Sequence, residues 1–178
     1  MNPPALDAYS LKLLIELQRD SRQTVQQLSE AVGLSATPCW KRIREMEEAG
    51  VITGYSAHVD PEQVGLALNV MVGVNLAKHS DDVVQRFEDA VKADPNIVRC
   101  VSTTGETDYV LNVLATDVKH FERLLQGTIV RLPGVTHVHS SIVLREVKST
   151  SVLPIDDLIP RGAGGAGPLP RRRPAPKT

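Results

Sequence analysis

Two short helical patterns joined by only three residues restrict the fold of this chain more than any other feature. The first can be capped by Thr24 and stops at Gly33, and the second can be capped by Ser35. Pro38 is tolerated near the start of the second helix, because the leading N–H groups of a helix have no partner within it. An earlier helical pattern runs from Leu6 to Leu17. Two helices joined by a tight glycine turn predict a helix-turn-helix.

The order of charge along the second of these helices is unusual. Cations stand in its first half and acids follow them, whereas the helix dipole favours the opposite order. In a helix-turn-helix the second helix enters the major groove with its N-terminal residues nearest the bases, and the N–H groups there attract phosphates. We therefore expect Lys41 and Arg44 to reach phosphates or a guanine edge, Thr37 a base, and Arg42 a phosphate beside the groove. The alternative is an ordinary surface helix of mixed charge, and Trp40 is expected to pack at the helix edge.

The pattern changes after this helix. The segment 51–60, "VITGYSAHVD", predicts a β-rich stretch that completes a small winged helical unit. The remainder reads β-α-β-β-α-β, the ferredoxin-like order, so the predicted class is α+β. The predicted boundaries are a helix-turn-helix domain at 6–60, a linker at 61–66 and a ferredoxin-like domain at 67–153. The sheet face away from the helices is assigned Met71, Val101 and Val113, which predicts burial against a second subunit.

Composition excludes several classes of protein. The formal net charge is −1, so any contact with nucleic acid must be local. No apolar run is long enough to span a membrane and the N-terminus lacks the layout of a secretion signal, so the cytoplasm is expected. Cys39 and Cys100 stand apart and are interpreted as buried thiols. Residues 154–178 are rich in Pro, Gly and Arg and are expected to be disordered, although their cations could hold nucleic acid weakly.

Four separated motifs of the chain belong together. They are "LDAYSLKLLIELQRDSR", "QLSEAVGLSATPCWKRIREMEEAGVITGYSAHVDPEQVG", "TTGETDYVL" and "VHSSIVLREVKST". In this order they resemble the Lrp/AsnC family of transcriptional regulators. The resemblance implies a DNA-binding helix-turn-helix followed by an effector and oligomerisation domain of the ACT-like or RAM type. It also implies dimers that assemble further, for example into octamers, and control of amino-acid metabolism genes in response to an amino acid. The implied DNA-binding residues are Ser35, Thr37, Trp40, Lys41, Arg42 and Arg44.

The resemblance places an effector pocket between subunits, at the loop that joins the second and third strands of the sheet. An α-amino acid needs an anion for its ammonium group and N–H donors for its carboxylate. Asp108 can supply the anion, and the loop at Gly105 can expose N–H groups since glycine permits a tight turn. The remaining wall is assigned to Thr103, Thr104, Tyr109 and Ser140. The alternative is that "TGETDY" is only a hairpin turn.

Other functions have weaker support in the sequence. His137 and His139 share a strand face, but no third ligand is placed for a metal. No nucleophile stands near a His and an acid, and no phosphate-binding loop follows a strand, so no catalytic residue, metal or cofactor is predicted. A regulatory module that acts on an enzyme without binding DNA is the main alternative. RNA binding is disfavoured, because RNA-recognition modules of this strand order display aromatic residues that "IVRCVST" lacks.

Overall fold

The computed structural model describes residues 6–77 and 80–159. These residues form two compact units. One contains the described residues up to 56 together with those from 150 onward, and the other contains residues 57–149. The second unit is therefore connected to the first at both of its ends.

The first unit is a helix-turn-helix, as predicted. Its helices are α1 (Ala8–Arg19), α2 (Val25–Val32) and α3 (Ala36–Glu48). Thr24 and Gln27 form a reciprocal capping box at the start of α2, and Gly33 ends that helix in the left-handed conformation, with φ of 76°. Buried side chains from all three helices form one core, which contains Leu13, Leu28, Val32, Cys39, Ile43 and Met46. The short turn therefore holds α3 against α1 and α2 by a continuous apolar core.

The segment 51–60 is not the β-rich stretch that the sequence predicted. The N–H groups of Val51 and Ile52 both bond to the carbonyl of Met46, at 2.9 and 3.1 Å, which closes α3. Both side chains then pack against the helical core. The residues from 53 to 60 are exposed and pair with no strand. A β-branched sequence does not form a strand unless another strand completes its hydrogen bonds.

The second unit has the predicted ferredoxin-like order. Its elements are β1 (Leu68–Leu76), α4 (Asp81–Ala93), β2 (Ile97–Ser102), β3 (Tyr109–Ala115), α5 (Val118–Gly127) and β4 (Val135–Ile142). The strands form one sheet in the order β2-β3-β1-β4, and each neighbouring pair is antiparallel. Short 3-10 turns of this unit lie at Glu62–Val64 and Ile129–Arg131, and a third, Ile155–Leu158, belongs to the first unit.

One sheet face is buried, and it contains a residue that the sequence analysis placed on the other. Val70, Val72 and Val74 of β1 are fully buried and belong to one core with Phe87 of α4 and Phe121 of α5, among others. Val113 lies opposite Val70 in the register and is 0% exposed, so its assignment to the outer face was wrong. Met71 and Val101 are 37% and 38% exposed. Met71 is offset by one residue from the buried Val70 and Val72, and Val101 by one residue from the partly buried Cys100, so both lie on the open face.

The chain returns to the first unit after residue 149. The N–H group of Leu153 donates to the side-chain oxygen of Gln18 at 2.6 Å, and the Gln18 amide nitrogen lies 3.5 Å from the Leu153 carbonyl. The turn at Ile155–Leu158 contacts α1. Residues 154–159 are therefore structured, contrary to the expectation of a disordered tail. The basic residues of the predicted tail, from Arg161 onward, lie outside the described residues.

Candidate nucleic-acid interface and ligand-binding loop

The outward face of α3 carries most of the predicted DNA-binding side chains. Cys39, Ile43 and Met46 are buried on the opposite face. Thr37, Trp40, Lys41 and Arg44 are exposed, with Trp40 at 55%. The guanidinium carbon of Arg44 lies 6.0 Å from the centre of the Trp40 ring, within the range of a cation–π contact. Trp40 therefore does not pack into the core, and it holds Arg44 at the surface instead.

The start of α3 differs from the start of α2. Ser35 occupies the N-cap position of α3, as predicted, but its side chain makes no capping hydrogen bond. The hydroxyl of Thr24, by contrast, accepts the N–H of Gln27 at 3.2 Å. Ser35 is exposed, so its hydroxyl and the positive end of the α3 dipole face the surface together. This arrangement suits a phosphate group.

The acids at the end of α3 pair with the cations that precede them. Lys41 lies 3.7 Å from Glu45, and Arg44 lies 3.5 Å from Glu47 and 3.8 Å from Glu48. The sequence analysis had not anticipated these pairs. Exposed pairs of this kind contribute roughly 0 to 1 kcal/mol, so phosphates can replace the carboxylates at small cost.

Glu47 has a second partner. It accepts a hydrogen bond of 2.9 Å from the Tyr55 hydroxyl. Burial, followed by this bond, raises the pKa of Tyr55 to about 12. The tyrosine therefore keeps its proton over the physiological range and holds Glu47 at the rear of the helix.

Arg42 is not the exposed cation that the sequence analysis expected. Its guanidinium lies 2.9 Å from the carboxylate of Asp7 and 5.9 Å from the centre of the Tyr9 ring. The hydrogen bond from Arg42, together with one from the Ser10 N–H, lowers the pKa of Asp7 to about 2. Arg42 thus joins α3 to α1 within the first unit. Its position on the flank of α3 explains why periodicity alone placed it at the surface.

The predicted effector loop is a hairpin folded back on the sheet. The Thr103 N–H bonds to the carbonyl of Asp108 at 3.0 Å, and the Asn75 side chain donates to the carbonyl of Glu106 at 2.7 Å. Gly73 of β1 leaves room for this fold, since a Cβ atom there would lie 2.7 Å from the Thr107 methyl carbon. Thr103, Thr104 and Gly105 are exposed at the hairpin tip.

Asp108 is fixed at the base of the hairpin. One carboxylate oxygen accepts the N–H of Leu76, at the end of β1, at 2.8 Å. The carboxylate is half-buried. Gly105, in contrast, does not have a positive φ, and a Cβ atom there would meet nothing within 4 Å. The tip therefore offers open space beside an anchored anion.

Two predicted effector residues do not join the hairpin tip. Tyr109 is buried on the helix-covered face, where its ring packs 4.6 Å from that of Phe87 and its hydroxyl lies 3.3 Å from Glu88. Burial, with the nearby Glu88 charge, raises the pKa of Tyr109. Ser140 lies on the edge strand β4, with β1 and β3 between it and β2. Ser140 is paired with the buried Val72 and shares its sheet face, whereas the hairpin packs over Gly73 on the other face.

A pocket of about 370 Å³ that the sequence analysis missed lies between α4 and β2. Its lining includes Glu88, Lys92, Arg99, Cys100 and Tyr109. Cys100 is therefore only half-buried, not fully buried as expected, and burial raises the pKa of its thiol. No sequence signal identifies such a gap, because it depends on how the helix rests on the sheet edge.

Neither a metal-ligand cluster nor a helix that could span a membrane occurs in the part of the chain that the structure describes. Within it, no group of three or more His, Cys, Asp or Glu side chains is arranged to hold a metal ion. His137 and His139 lie opposite Asn75 and Gly73 in the register, on the open face. No helix in these ranges is both long and apolar enough to cross a membrane.

Comparison with known proteins finds a matching family model for each of the two units. The family model described as the Lrp/AsnC ligand binding domain matches residues 69–153, and that described as winged helix-turn-helix DNA-binding matches residues 6–53. The chain is 40% identical over 149 residues to the leucine-responsive regulatory protein of Haemophilus influenzae, covering 84% of this chain and 90% of that protein. It is 36% identical over 151 residues to the DNA-binding transcriptional activator DecR of Escherichia coli, covering 85% and 99%.

A solved structure agrees with this match. A transcriptional regulator from Neisseria meningitidis, crystallised as a complex with L-Met, superimposes with a TM-score of 0.82 at 36% identity. The alignment covers 87% of this chain and 100% of that one. The likeness therefore includes the order of both units along the chain.

Proposed function

The chain belongs to the Lrp/AsnC family of DNA-binding transcriptional regulators, and we propose that it reads duplex DNA through α3 and senses an amino acid at the 103–108 hairpin. The observation that carries the DNA-binding proposal is the outward face of α3. It presents Thr37, Lys41 and Arg44 together, next to a helix start that Ser35 leaves open to solvent. These groups match what base edges and phosphates accept in a major groove.

The two cations have different parts in this proposal. Lys41 is a point charge on a flexible stem, and it exchanges Glu45 for a phosphate. Arg44 has a planar fork and rests near Trp40, a geometry that suits bidentate bonding to guanine. Thr37, nearest the helix start, contacts a base or a thymine methyl group. The trailing acids disfavour a register in which the rear of α3 approaches the phosphates.

The protein acts as a homo-oligomer in this proposal. The open sheet face carries Met71 and Val101, and burial of that face against a second subunit would pair two copies of α3. The DNA site would then be a rough palindrome, with half-sites separated by whole helical turns.

The effector in this proposal is an amino acid. Asp108 supplies a negative charge at a fixed position, and the exposed tip from Thr103 to Gly105 supplies polar groups. Ser140 would come from another subunit, because in its own chain it shares the sheet face of Val72 while the hairpin packs over Gly73 on the other face. An effector bound between subunits shifts DNA affinity if it prefers one assembly over another.

The experiment that tests DNA binding is the double substitution Lys41→Ala and Arg44→Ala. Operator binding is measured by gel shift with genomic fragments and titrated at one salt concentration. We expect loss of specific binding, with unchanged thermal unfolding and sedimentation, because both side chains are exposed and their ion pairs are weak.

The matched control is Lys119→Ala with Arg123→Ala. It removes the same two charges from exposed positions on α5, in the other unit. We expect this variant to retain operator affinity. If the α3 variant also retains it, the assignment of the groove-reading surface is wrong.

A further inference from the structure

Tyr9 is an exposed aromatic residue on the first helix, and two cations lie near its ring. The Lys12 ammonium is 5.8 Å from the ring centre and the Arg42 guanidinium is 5.9 Å from it. Tyr9 recurs with Leu6 and Leu13 at helical spacing, which is typical of a buried stripe, yet it is 41% exposed. Leu11, two residues after Tyr9, is buried. Core packing therefore does not account for the position of the Tyr9 ring, whereas its contacts with the two cations do.

The cluster is attached to α3. Arg42 belongs to α3, and its ion pair with Asp7 fixes the start of α1 against the flank of that helix. The same pair neutralises the one acidic side chain at the start of α1. Lys12 therefore contributes net positive charge beside the proposed groove-reading face. Within the described residues, no carboxylate lies within ion-pair distance of Lys12.

We propose that Lys12 is a second DNA contact, to a phosphate beside the groove that α3 enters, and that Tyr9 is the residue that positions it. This inference rests on the proposed function, since it needs the duplex to lie on α3. The phosphates on the two sides of a major groove flank the helix that occupies it, so a cation on the adjoining helix meets the backbone and no base edge. The contact supplies affinity and orientation but no sequence preference.

The ring of Tyr9 explains how the flexible Lys12 side chain can act as a phosphate contact. A free lysine loses rotamer freedom when it binds a phosphate. Lys12 is half-buried, and contact of its ammonium with the aromatic face restricts the side chain before any phosphate binds. Tyr9 thus acts through Lys12.

The test is the salt dependence of DNA binding by Lys12→Gln. Each neutralised phosphate contributes a slope of about 0.9 to the fall of log affinity with log salt concentration. We expect the slope to decrease by about 1, so that between 50 and 200 mM salt the wild-type chain loses about threefold to fourfold more affinity than the variant. The loss should be equal for the operator and for an unrelated duplex. Thermal unfolding should be unchanged.

Lys119→Gln is the control, because it removes one exposed charge from the other unit. An unchanged slope in Lys12→Gln, or an equal decrease in Lys119→Gln, would overturn the inference while DNA binding itself stood. Failure of the wild-type chain to bind any duplex would overturn the proposed function instead.

Tyr9→Leu tests the positioning role. We expect it to weaken binding by itself but to add nothing when Lys12→Gln is already present, since both act through one contact. Additive losses would show that Tyr9 does not act through Lys12.

Discussion

Asp7 serves two elements at once. Its carboxylate accepts the Ser10 N–H at 2.8 Å, which caps α1, and it also binds the guanidinium of Arg42 on α3. The hydrogen bond from Arg42 is the largest cause of its low pKa, followed by the bond from Ser10. A single small acid thus links the first helix to the proposed DNA-reading helix.

The ion pair should be visible in the pH dependence of stability. The pKa of Asp7 falls from 3.8 to about 2 on folding, so its stabilisation is fully present above pH 4 and is lost as the pH falls through about 2. Asn caps helices as well as Asp does, so Asp7→Asn removes mainly the charge. We expect the variant to be less stable at neutral pH by at most about 1 kcal/mol, because the pair is partly solvated.

Urea unfolding of both proteins measures this effect. The difference in free energy of unfolding should shrink as the pH is lowered from about 5 to about 2. A difference that does not change with pH would show that Asp7 acts only through its hydrogen-bonded cap.

At the scale of elements, the two helices of the helix-turn-helix use their N-caps differently. The Thr24 side chain is fully engaged by Gln27, whereas the Ser35 side chain makes no capping hydrogen bond. The cap of α2 contributes to folding, and the start of α3 keeps its polar groups for a ligand.

A pair of substitutions separates these roles. Thr24→Ala should lower the free energy of unfolding by about 1 kcal/mol, the usual cost of a lost N-cap. Ser35→Ala should change stability by less than about 0.5 kcal/mol, as for an ordinary surface site, but should weaken DNA binding. Chemical denaturation and gel shift measure the two effects. Equal destabilisation by both substitutions would contradict this division.

Features that depend on local chemistry were predictable from the sequence. The periods of α2 and α3, the cap of α2, the β-α-β-β-α-β order and the hairpin at 103–108 all follow from residues close together in the chain. It was harder to predict from the sequence which face of the sheet each strand residue occupies. The run "YVLNVLAT" is apolar at nearly every position, so it does not reveal that Val113 faces the helices. The pairing of Val113 with the buried Val70 does reveal it.

Features that depend on distant partners were not predictable. The segment 51–60 has β-forming residues, but no strand lies beside it. The sequence predicts that Arg42 contacts a phosphate beside the groove. It does not show that Arg42 binds Asp7, which lies 35 positions earlier in the chain. Tyr109 follows the effector motif, yet its side chain passes to the opposite side of the sheet to meet Phe87.

At the scale of the whole molecule, effector binding should depend on the charge of Asp108. In Asp108→Asn the remaining amide oxygen can still accept the Leu76 N–H, so the hairpin keeps its anchor while the negative charge is lost. We expect one or more of the twenty amino acids, L-methionine among those screened, to raise the melting temperature of the wild-type chain. At a concentration of 100 Kd the stabilisation should be about 2.7 kcal/mol.

The same amino acid should have little effect on Asp108→Asn. The N-acetylated form, which lacks the ammonium group, should fail to stabilise either protein. Sedimentation of the wild-type chain with and without the amino acid then shows whether the assembly shifts. An equal rise in melting temperature for both proteins would place the effector elsewhere.

The return of the chain to α1 after residue 149 has a genetic consequence. Because Leu153 is bonded to Gln18, the last codons of the described region encode part of the same unit as the first. A nonsense or frameshift mutation just before Thr150 leaves every residue of the ferredoxin-like unit in place. Its damage would appear at the opposite end of the reading frame, as a DNA-binding defect.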